Sequence, residues 1–529
     1  PEVVDRLDEL ELLPAIFFIF SRAGCDAAVT SCRRQGLRLT SKEEQKEIRQ
    51  VAEARCSSIA DDDLDTLGYH EWLESLERGY AAHHAGLLPA FKEVVEELFL
   101  RKLVKAVFAT ETLALGINMP ARTVVLERLD KYNGEGRVNL TPGEYTQLTG
   151  RAGRRGIDTE GHSVVQWGGN LDPQVVAGLA SKRTYPLISS FRPTYNMAVN
   201  LVDAFGKDRA REVLEMSFAQ FQADRAVVGL VKQIKKNESA RQELLTSAEC
   251  HLGDFESYAR MRSEIKELEK LLSKRDGRKT FDNRQRQHME NEIDGLRRSM
   301  RSHPCHSCND RETHARFAER AERLHRESEG LRGRVENRTH VIAKTFDRIC
   351  DVLTHLGYIE GEKPLEQGKI LAKIFAESDL LLTESIRRGV FDSLTPPELL
   401  SVASAMIYQG RSSEPYSPKM PNDNVANALV AVSKIWIELE AIENEFNVKT
   451  QREPDFGFCY AAFRWANGHS LSSILKGTDM TVGDFVRSIK QLIDLLTQIG
   501  GAAEELRPAC REGIKRLDRG VISYMLGDL

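Results

Sequence analysis

"KLVKAVFATETLALGINMPARTVVLE", residues 102–127, contains two short runs rich in β-branched and aromatic side chains, "KLVKAVFAT" (102–110) and "ARTVVLE" (121–127). Runs of this length and composition predict strands. A third lies upstream in "PAIFFIFSRAG" (14–24), a buried strand ending in a polar turn, and a fourth downstream in "GHSVVQW" (161–167). Helical patterns separate them, at residues 42–56 and in "LPAFKEVVEELFLRK" (88–102). Strands alternating with helices predict a parallel α/β sheet. This first domain is expected over residues 1–190.

The full chain of 529 residues is too long for one core, and three or four domains are expected. Its 41 % hydrophobic and 29 % charged content fits a globular protein with many helices. No apolar run reaches the eighteen or so residues of a membrane span. The longest, "LLPAIFFIF", is strand-sized, so no membrane partner is expected. A net charge of −5 argues against a wholly basic nucleic-acid coat but allows a local basic channel. Nine scattered cysteines fit a reducing compartment better than a disulfide framework. The chain starts at Pro1 with no signal-peptide pattern behind it. It is therefore expected to be a piece of a longer protein, with targeting information at the true N-terminus.

Residues 226–339 are highly charged and nearly free of strand signals. Met261, Ile265, Leu268 and Leu272 follow spacings of four, three and four, a narrow apolar seam on a long helix. A second long helix, about 311–350, is expected to return alongside it, with breaks at "KRDGRKTFDN" and "SHPCHSCND". Together these predict an antiparallel helical arm. The flanking segments, 191–225 and 340–378, predict a winged-helix domain, the second half reading as helix, short strand, turn and strand. Residues 379–529 read as all-helical. In "TPPE", Thr395 caps, Pro396 takes the first helical position and Glu398 reaches back. "GDFVRSIKQLIDLLTQIG" (483–500) has apolar residues at 485, 486, 489, 492, 493, 496 and 499, one helical face.

"YTQLTGRAGRRGID" (145–158) interleaves arginines with glycines. If a helix runs through residues 143–154, Gln147, Arg151 and Arg154 stand at i, i+4 and i+7 and share a face. Gly150 and Gly153 would keep the neighbouring surface bare for another backbone or a ligand. Two guanidiniums and an amide on such a face suit a polyphosphate. In isolation, a run of this kind is most simply a solvated basic turn.

The surrounding sequence changes that balance. "QLTGRAGRRG" resembles motif VI of superfamily-two helicases, "ATETLALGINMPA" (109–121) motif V and "FFIFSR" (17–22) motif IV. "YAAHHAGLLP" (80–89) resembles the segment between motifs IV and V. With "KYNGEGRVNLTPGEY" before it, motif VI is similar to that of the superkiller-type DExH-box RNA helicases. "YNMAVNL" and "SFAQFQ" resemble that family's winged-helix entry. "LLLTESIRRGVFDSLTPPELLSVAS" and "DFGFCYAAFRWANGHSLSSILKGTDMTVGDFVRSIKQLIDLL" resemble its C-terminal helical domain. "HPCHSC" and the short arm look more like the plant chloroplast and bacterial members, which implies a chloroplast location.

The resemblance implies an α/β RecA-like domain with a parallel sheet, followed by a winged-helix domain, a helical arm insertion and an all-α helical bundle (ratchet) domain. It implies that Arg151 and Arg154 act as arginine fingers and that Gln147 helps place the attacking water or the γ-phosphate. Gly116 and Asn118 would lie near the nucleotide. Thr110, Thr112 and Gly116 would approach the RNA backbone, where hydroxyls and amides grip phosphate without reading sequence. Motif IV residues Ser21 and Arg22 fall at a strand's carboxyl end, where open α/β sheets bind ligands. Arg487, with Lys490 near it, would touch RNA from the ratchet helix. Tyr132 and Arg137 fall on a hairpin between motifs V and VI that either contacts nucleic acid or simply connects.

Neither a GK[ST] phosphate loop nor a DExH box occurs in the chain. It therefore looks like the C-terminal half of a helicase. ATP and Mg²⁺ would bind only together with a first RecA-like domain, and the chain alone is expected not to hydrolyse ATP. The expected partner is single-stranded or structured RNA, with protein partners reached through the arm. A DNA helicase of similar architecture and a non-catalytic RNA-binding adaptor are the competing readings. "HPCHSCNDRETH" sets Cys305 and Cys308 among His303, His306 and His314. Zinc needs four nitrogen or sulfur ligands, and no second ligand pair stands at a defined distance. The preferred reading is a compact turn with reduced thiols and no metal.

Overall fold

The computed structural model describes residues 1–114, 119–132, 136–154, 156, 158–168, 171–181, 187–273, 283–410, 418–476, 478 and 480–525. The chain divides into two compact units. One comprises Pro1–Leu187, Thr194–Ala204 and Arg348–Leu529; the other comprises Ile188–Pro193 and Phe205–Asp347.

The first unit is built on the expected parallel sheet. Its strands are β1 (Ala15–Phe18), β2 (Tyr80–His83), β3 (Ala106–Ala109), β4 (Thr123–Leu126) and, numbered in chain order after a hairpin, β7 (His162–Val165). The spatial order is β2-β3-β1-β4-β7, and every pairing is parallel, with Ala15 level with both Ala106 and Thr123. All residues of β1 to β4 are buried, so the strands read as continuous apolar runs rather than alternating ones. Phe17, Tyr80, Phe108 and Val125 share one core cluster with Cys25 and Cys32 of the helix Arg22–Arg34. The intervening hairpin pairs β5 (Asp130–Tyr132) with β6 (Arg137–Asn139), as the sequence suggested; residues 133–135 lie outside the described residues.

The rest of this unit is helical apart from a two-strand hairpin, β8 (Ile359–Glu360) with β9 (Lys363–Pro364), that follows the helix Val341–His355. That is the helix, strand, turn and strand expected there. Thr395 donates to Glu398 Oε2 from both its amide (2.8 Å) and its hydroxyl (2.7 Å), closing the start of the helix Pro396–Ser404. The helix Val482–Ala502 buries Phe485, Val486, Ile489, Leu492, Leu496 and Ile499 of the face read from the sequence, leaves Ile493 of that face half-buried, and buries Leu495 as well. Several buried polar groups are paired. Tyr195 donates to Glu443 at 2.9 Å, Tyr358 to Glu384 at 2.6 Å, and the Asn196 amide to Asp379 at 2.8 Å.

The second unit is an arm of long helices. Phe218–Ser247 packs along Arg311–Arg338, and Phe255–Ser273 packs on Asn283–Ser302. The expected partner of the 311–338 helix was the seam helix. Its longest contact is instead with Phe218–Ser247, which runs unbroken past the boundary expected near residue 225. Ile265 of the seam is buried. Much of the arm surface carries ion pairs, among them Arg262 with Glu312 (3.0 Å), Arg297 with Glu269 (2.6 Å) and Arg326 with Glu267 (2.6 Å). Among the described residues no helix is long and apolar enough to cross a membrane.

Candidate functional site

The helix that opens motif VI, Pro142–Thr149, starts on a capping box in which Thr141 and Glu144 satisfy each other's backbone amides. It ends earlier than a shared face for Gln147, Arg151 and Arg154 requires. Gly150 caps it, and Gly153 adopts φ +91°, which turns the chain out of the helix. Residues 151–153 then run beside Ala121. Its amide donates to the Arg151 carbonyl at 2.9 Å, and its carbonyl accepts from the Gly153 amide at 2.8 Å. Gly161, just before β7, crosses so close that an added Cβ would lie 2.5 Å from the Ala152 carbonyl carbon. The expectation of one helical face is therefore corrected. Gly153 and Gly161 let two backbones cross at the start of β4, rather than baring a helix for a ligand.

The two arginines are held differently. Arg151 donates from Nη2 to the carbonyl of Ala114, at the end of the 3-10 turn Glu111–Ala114 in motif V. Arg154 is clamped side-on by Asp158. Nε donates to Oδ2 at 2.7 Å, Nη2 to Oδ1 at 2.6 Å, and the Arg154 amide to Oδ2 at 2.9 Å. Only 13 % of the Arg154 side chain and 7 % of the Asp158 side chain are exposed. The hydrogen bonds from Arg154 hold the Asp158 carboxyl at about 2, well below its ordinary value, against the opposing effect of burial. The clamp uses Nε and Nη2, and no described residue takes the Nη1 donors of Arg154. Gln147 lies exposed on the helix before them.

A second cluster lies past the carboxyl ends of β1 to β3. Ser21 caps the helix Arg22–Arg34 by accepting from the Gly24 amide at 3.2 Å. Thr110 and Thr112 join hydroxyls at 2.9 Å just after β3. After β2, His84 accepts from the Gly86 amide at Nδ1 (3.1 Å) and so donates from Nε2 to Asp26 (2.9 Å). The helix Val482–Ala502 docks on this loop. The Gly483 amide donates to Gly86 O at 3.1 Å, and a Cβ on Gly483 would stand 2.7 Å from Ala85 O. Arg22 donates from Nη1 to both oxygens of Asp484, at 3.0 and 2.9 Å. Arg487 shares that carboxylate, its Nη2 donating to Oδ1 at 2.7 Å, and stays 51 % exposed. Arg487 and Lys490 also line a groove of about 740 Å³ with Phe375, Tyr408, Arg452 and Gln491. Gly116 and Asn118 lie outside the described residues.

Sequence reading missed Asp158, Asp484, Gly483 and Lys131. Lys131 of β5 bridges Glu111 after β3 (2.6 Å) and Glu144 in the first turn of the motif VI helix (2.7 Å). Asp158 stands four residues after Arg154, a spacing that could have flagged it. The others pair across long sequence distances and leave no local signal.

Three family models match the chain. The helicase conserved C-terminal domain covers residues 39–156, the stalk of the exosome RNA helicase MTR4-like family residues 212–275, and the DSHCT (NUC185) domain residues 361–525. The chain is 40 % identical to the probable helicase HelY of Mycobacterium tuberculosis, an alignment covering 100 % of this chain and 71 % of that protein. It is 24 % identical to the exosome RNA helicase MTR4 of Homo sapiens, over 98 % of this chain and 63 % of that protein. It is 36 % identical to the DExH-box ATP-dependent RNA helicase DExH9 of Arabidopsis thaliana, over 50 % of this chain and 27 % of that protein. The parallel sheet with its crossing motif VI loop, the docked helix after Thr481 and these matches agree: the chain belongs to the superkiller-type DExH-box helicases of superfamily two and corresponds to their C-terminal half.

Proposed function

We propose that the chain works as the C-terminal part of an ATP-dependent RNA helicase, supplying arginine fingers to a nucleotide pocket and much of the RNA-binding surface. The observation that carries this reading is the side-on clamp of Arg154 by Asp158. It fixes a guanidinium in place while leaving the Nη1 donors unspent, as an anion site needs. A first RecA-like domain would bring the phosphate loop and hold Mg²⁺ with ATP. In that pocket Arg154 stabilises charge on the transferring phosphoryl group, a contribution of roughly 10³ to 10⁵ in turnover. Gln147, exposed one helical turn before Arg151, positions the attacking water. Arg151 serves the nucleotide and, through the Ala114 carbonyl, fixes motif V against motif VI.

On the RNA side, Ser21, Thr110 and Thr112 offer hydroxyls at the carboxyl ends of β1 and β3, and Arg487 offers positive charge from the docked helix. Phe375, 71 % exposed at the groove beside Arg487, gives a base a surface to stack on. Motif V then links the two functions. Its first residues sit at the RNA end of β3, and Ala121 bonds the Arg151 segment at the start of β4. Arg22 serves to hold the docked helix rather than RNA. RNA rather than DNA is favoured by relatives whose own names specify RNA.

The test joins the chain to a first RecA-like domain of the family and measures ATP turnover with RNA, with DNA and with neither. Turnover is expected only in the joined protein and is expected to rise more with RNA. Turnover by the purified chain alone contradicts the division of labour, and stronger stimulation by DNA reassigns the substrate.

A further inference from the structure

The second unit contains a cluster that the helicase reading does not use. Cys250 follows the helix Phe218–Ser247, and Cys305 lies within, and Cys308 just after, the 3-10 turn Pro304–Ser307 before Arg311–Arg338. The ligand atoms of Cys250, His251 and Cys308 lie within 4.8 Å of one another. Cys305 is buried and packs beside Gly253, three residues after Cys250. Three thiols and an imidazole thus converge where the long arm helices meet. We propose that Cys250, Cys305, Cys308 and His251 bind one zinc ion that fastens this end of the arm.

Tight turns present the cysteines. The Gly253 amide donates to the Cys250 carbonyl at 3.2 Å and the Cys308 amide to the Cys305 carbonyl at 3.3 Å, so each cysteine segment is folded into a tight turn. Gly253 lies against the turn, where an added Cβ would stand 3.5 Å from Pro304 Cβ and 3.7 Å from Cys305 Sγ. With Zn–S near 2.3 Å and Zn–N near 2.0 Å, a tetrahedral site separates its ligand atoms by roughly 3.5 to 3.8 Å. The observed 4.8 Å limit among Cys250, His251 and Cys308 therefore closes with a small side-chain rotation, and Cys305 must turn toward them from its place beside Gly253. Two other histidines are already engaged: His303 Nδ1 accepts from the Cys305 amide at 3.3 Å, and His306 Nδ1 bonds Tyr258 at 3.1 Å. His314 Nδ1 stands 4.0 Å from Cys308 Sγ but is packed edge-on against Phe255. That leaves His251, exposed and next to Cys250, as the fourth ligand.

This choice also explains why the sequence alone favoured a metal-free turn. The second ligand pair is Cys250 with His251, two helices upstream of the CxxC and brought to it only by folding. Binding releases the three thiol protons to solvent and leaves a site of net charge −1, with no redox step. A disulfide between two of the thiols would leave the third unpaired.

The test uses the full chain without a histidine tag, grown with zinc and purified without chelator. Elemental analysis is expected to give about one zinc per chain, and cobalt substitution to give the visible bands of a tetrahedral, thiolate-rich site. Cys250→Ser, Cys305→Ser and His251→Ala are expected to lose most of the metal. His288→Ala, exposed on the arm, is expected to keep it. Hydrogen exchange after chelation is expected to quicken near residues 248–262 and 303–315 and to leave the sheet unchanged. A metal-free wild-type chain whose three thiols react freely, or a crosslink among them on isolation, overturns the proposal. Zinc kept by His251→Ala but lost by His314→Ala overturns the choice of fourth ligand.

Discussion

Arg154 and Arg22 both belong to helicase motifs, and both are taken up by an aspartate, yet the two pairs are built for different purposes. Arg154 meets Asp158 four residues away in the same loop, through Nε and Nη2, and keeps Nη1 uncommitted. Arg22 meets Asp484 from the far end of the chain, spends Nη1 on both of its oxygens and shares it with Arg487. The first pair holds a guanidinium side-on within one loop. The second fastens the ratchet helix to the carboxyl ends of the sheet strands. A motif arginine therefore reports where charge is kept, and its partner decides whether that charge is presented or consumed.

Four substitutions break or sharpen this contrast. The largest effect is expected for Arg154→Ala in the complete protein. RNA-stimulated ATP turnover should fall by about 10³-fold or more, while RNA affinity from a binding titration changes little. Next comes Gly483→Val. Its Cβ would meet the backbone of residues 85–86, which no rotamer change relieves. A loss of about 1–3 kcal/mol in denaturant unfolding is expected. Asp484→Asn leaves Arg22 and Arg487 without their shared anion. It should cost about 1–3 kcal/mol and weaken RNA affinity more than turnover, the reverse of Arg154→Ala. The smallest effect is expected in the arm. Arg262→Ala removes an exposed pair with Glu312 and should change unfolding by under about 1 kcal/mol.

The Asp158 carboxyl adds a pH signature. Its folded value, about 2, lies below the ordinary carboxylate value, so the pair stabilises the fold above the unfolded value. That contribution is lost as pH falls through about 2. Acid unfolding of the wild type and of Asp158→Asn should therefore converge at the acid end and separate toward neutral pH. Parallel curves throughout would show that the pair carries no such linkage.

Four strands of the sheet, β1, β3, β4 and β7, were legible because they carry apolar, β-branched runs between helical segments, whereas β2 (Tyr80–His83), made of a tyrosine, two alanines and a histidine, was not read as a strand. The capping box at Thr395 and the buried face of Val482–Ala502 were legible for a similar reason: each rests on spacing within one segment. What escaped depended on contacts between segments. Arg151 and Arg154 were placed on a helix because their spacing fits one, but Gly153 at φ +91° and the crossing at Gly161 end it first. Asp484, Gly483 and Lys131 act on residues tens to hundreds of positions away. Cys250 and His251 join the CxxC only once the arm has folded.

The most direct test is a double-mutant cycle on RNA-stimulated ATP turnover in the complete protein, with Arg154→Ala, Asp158→Asn and both together. If Arg154 is the nucleotide-directed group and Asp158 only aims it, Asp158→Asn lowers turnover alone, and the double variant is no slower than Arg154→Ala. Losses that multiply in the double variant, or an Arg154→Ala protein that turns over ATP at the wild-type rate, would contradict the account.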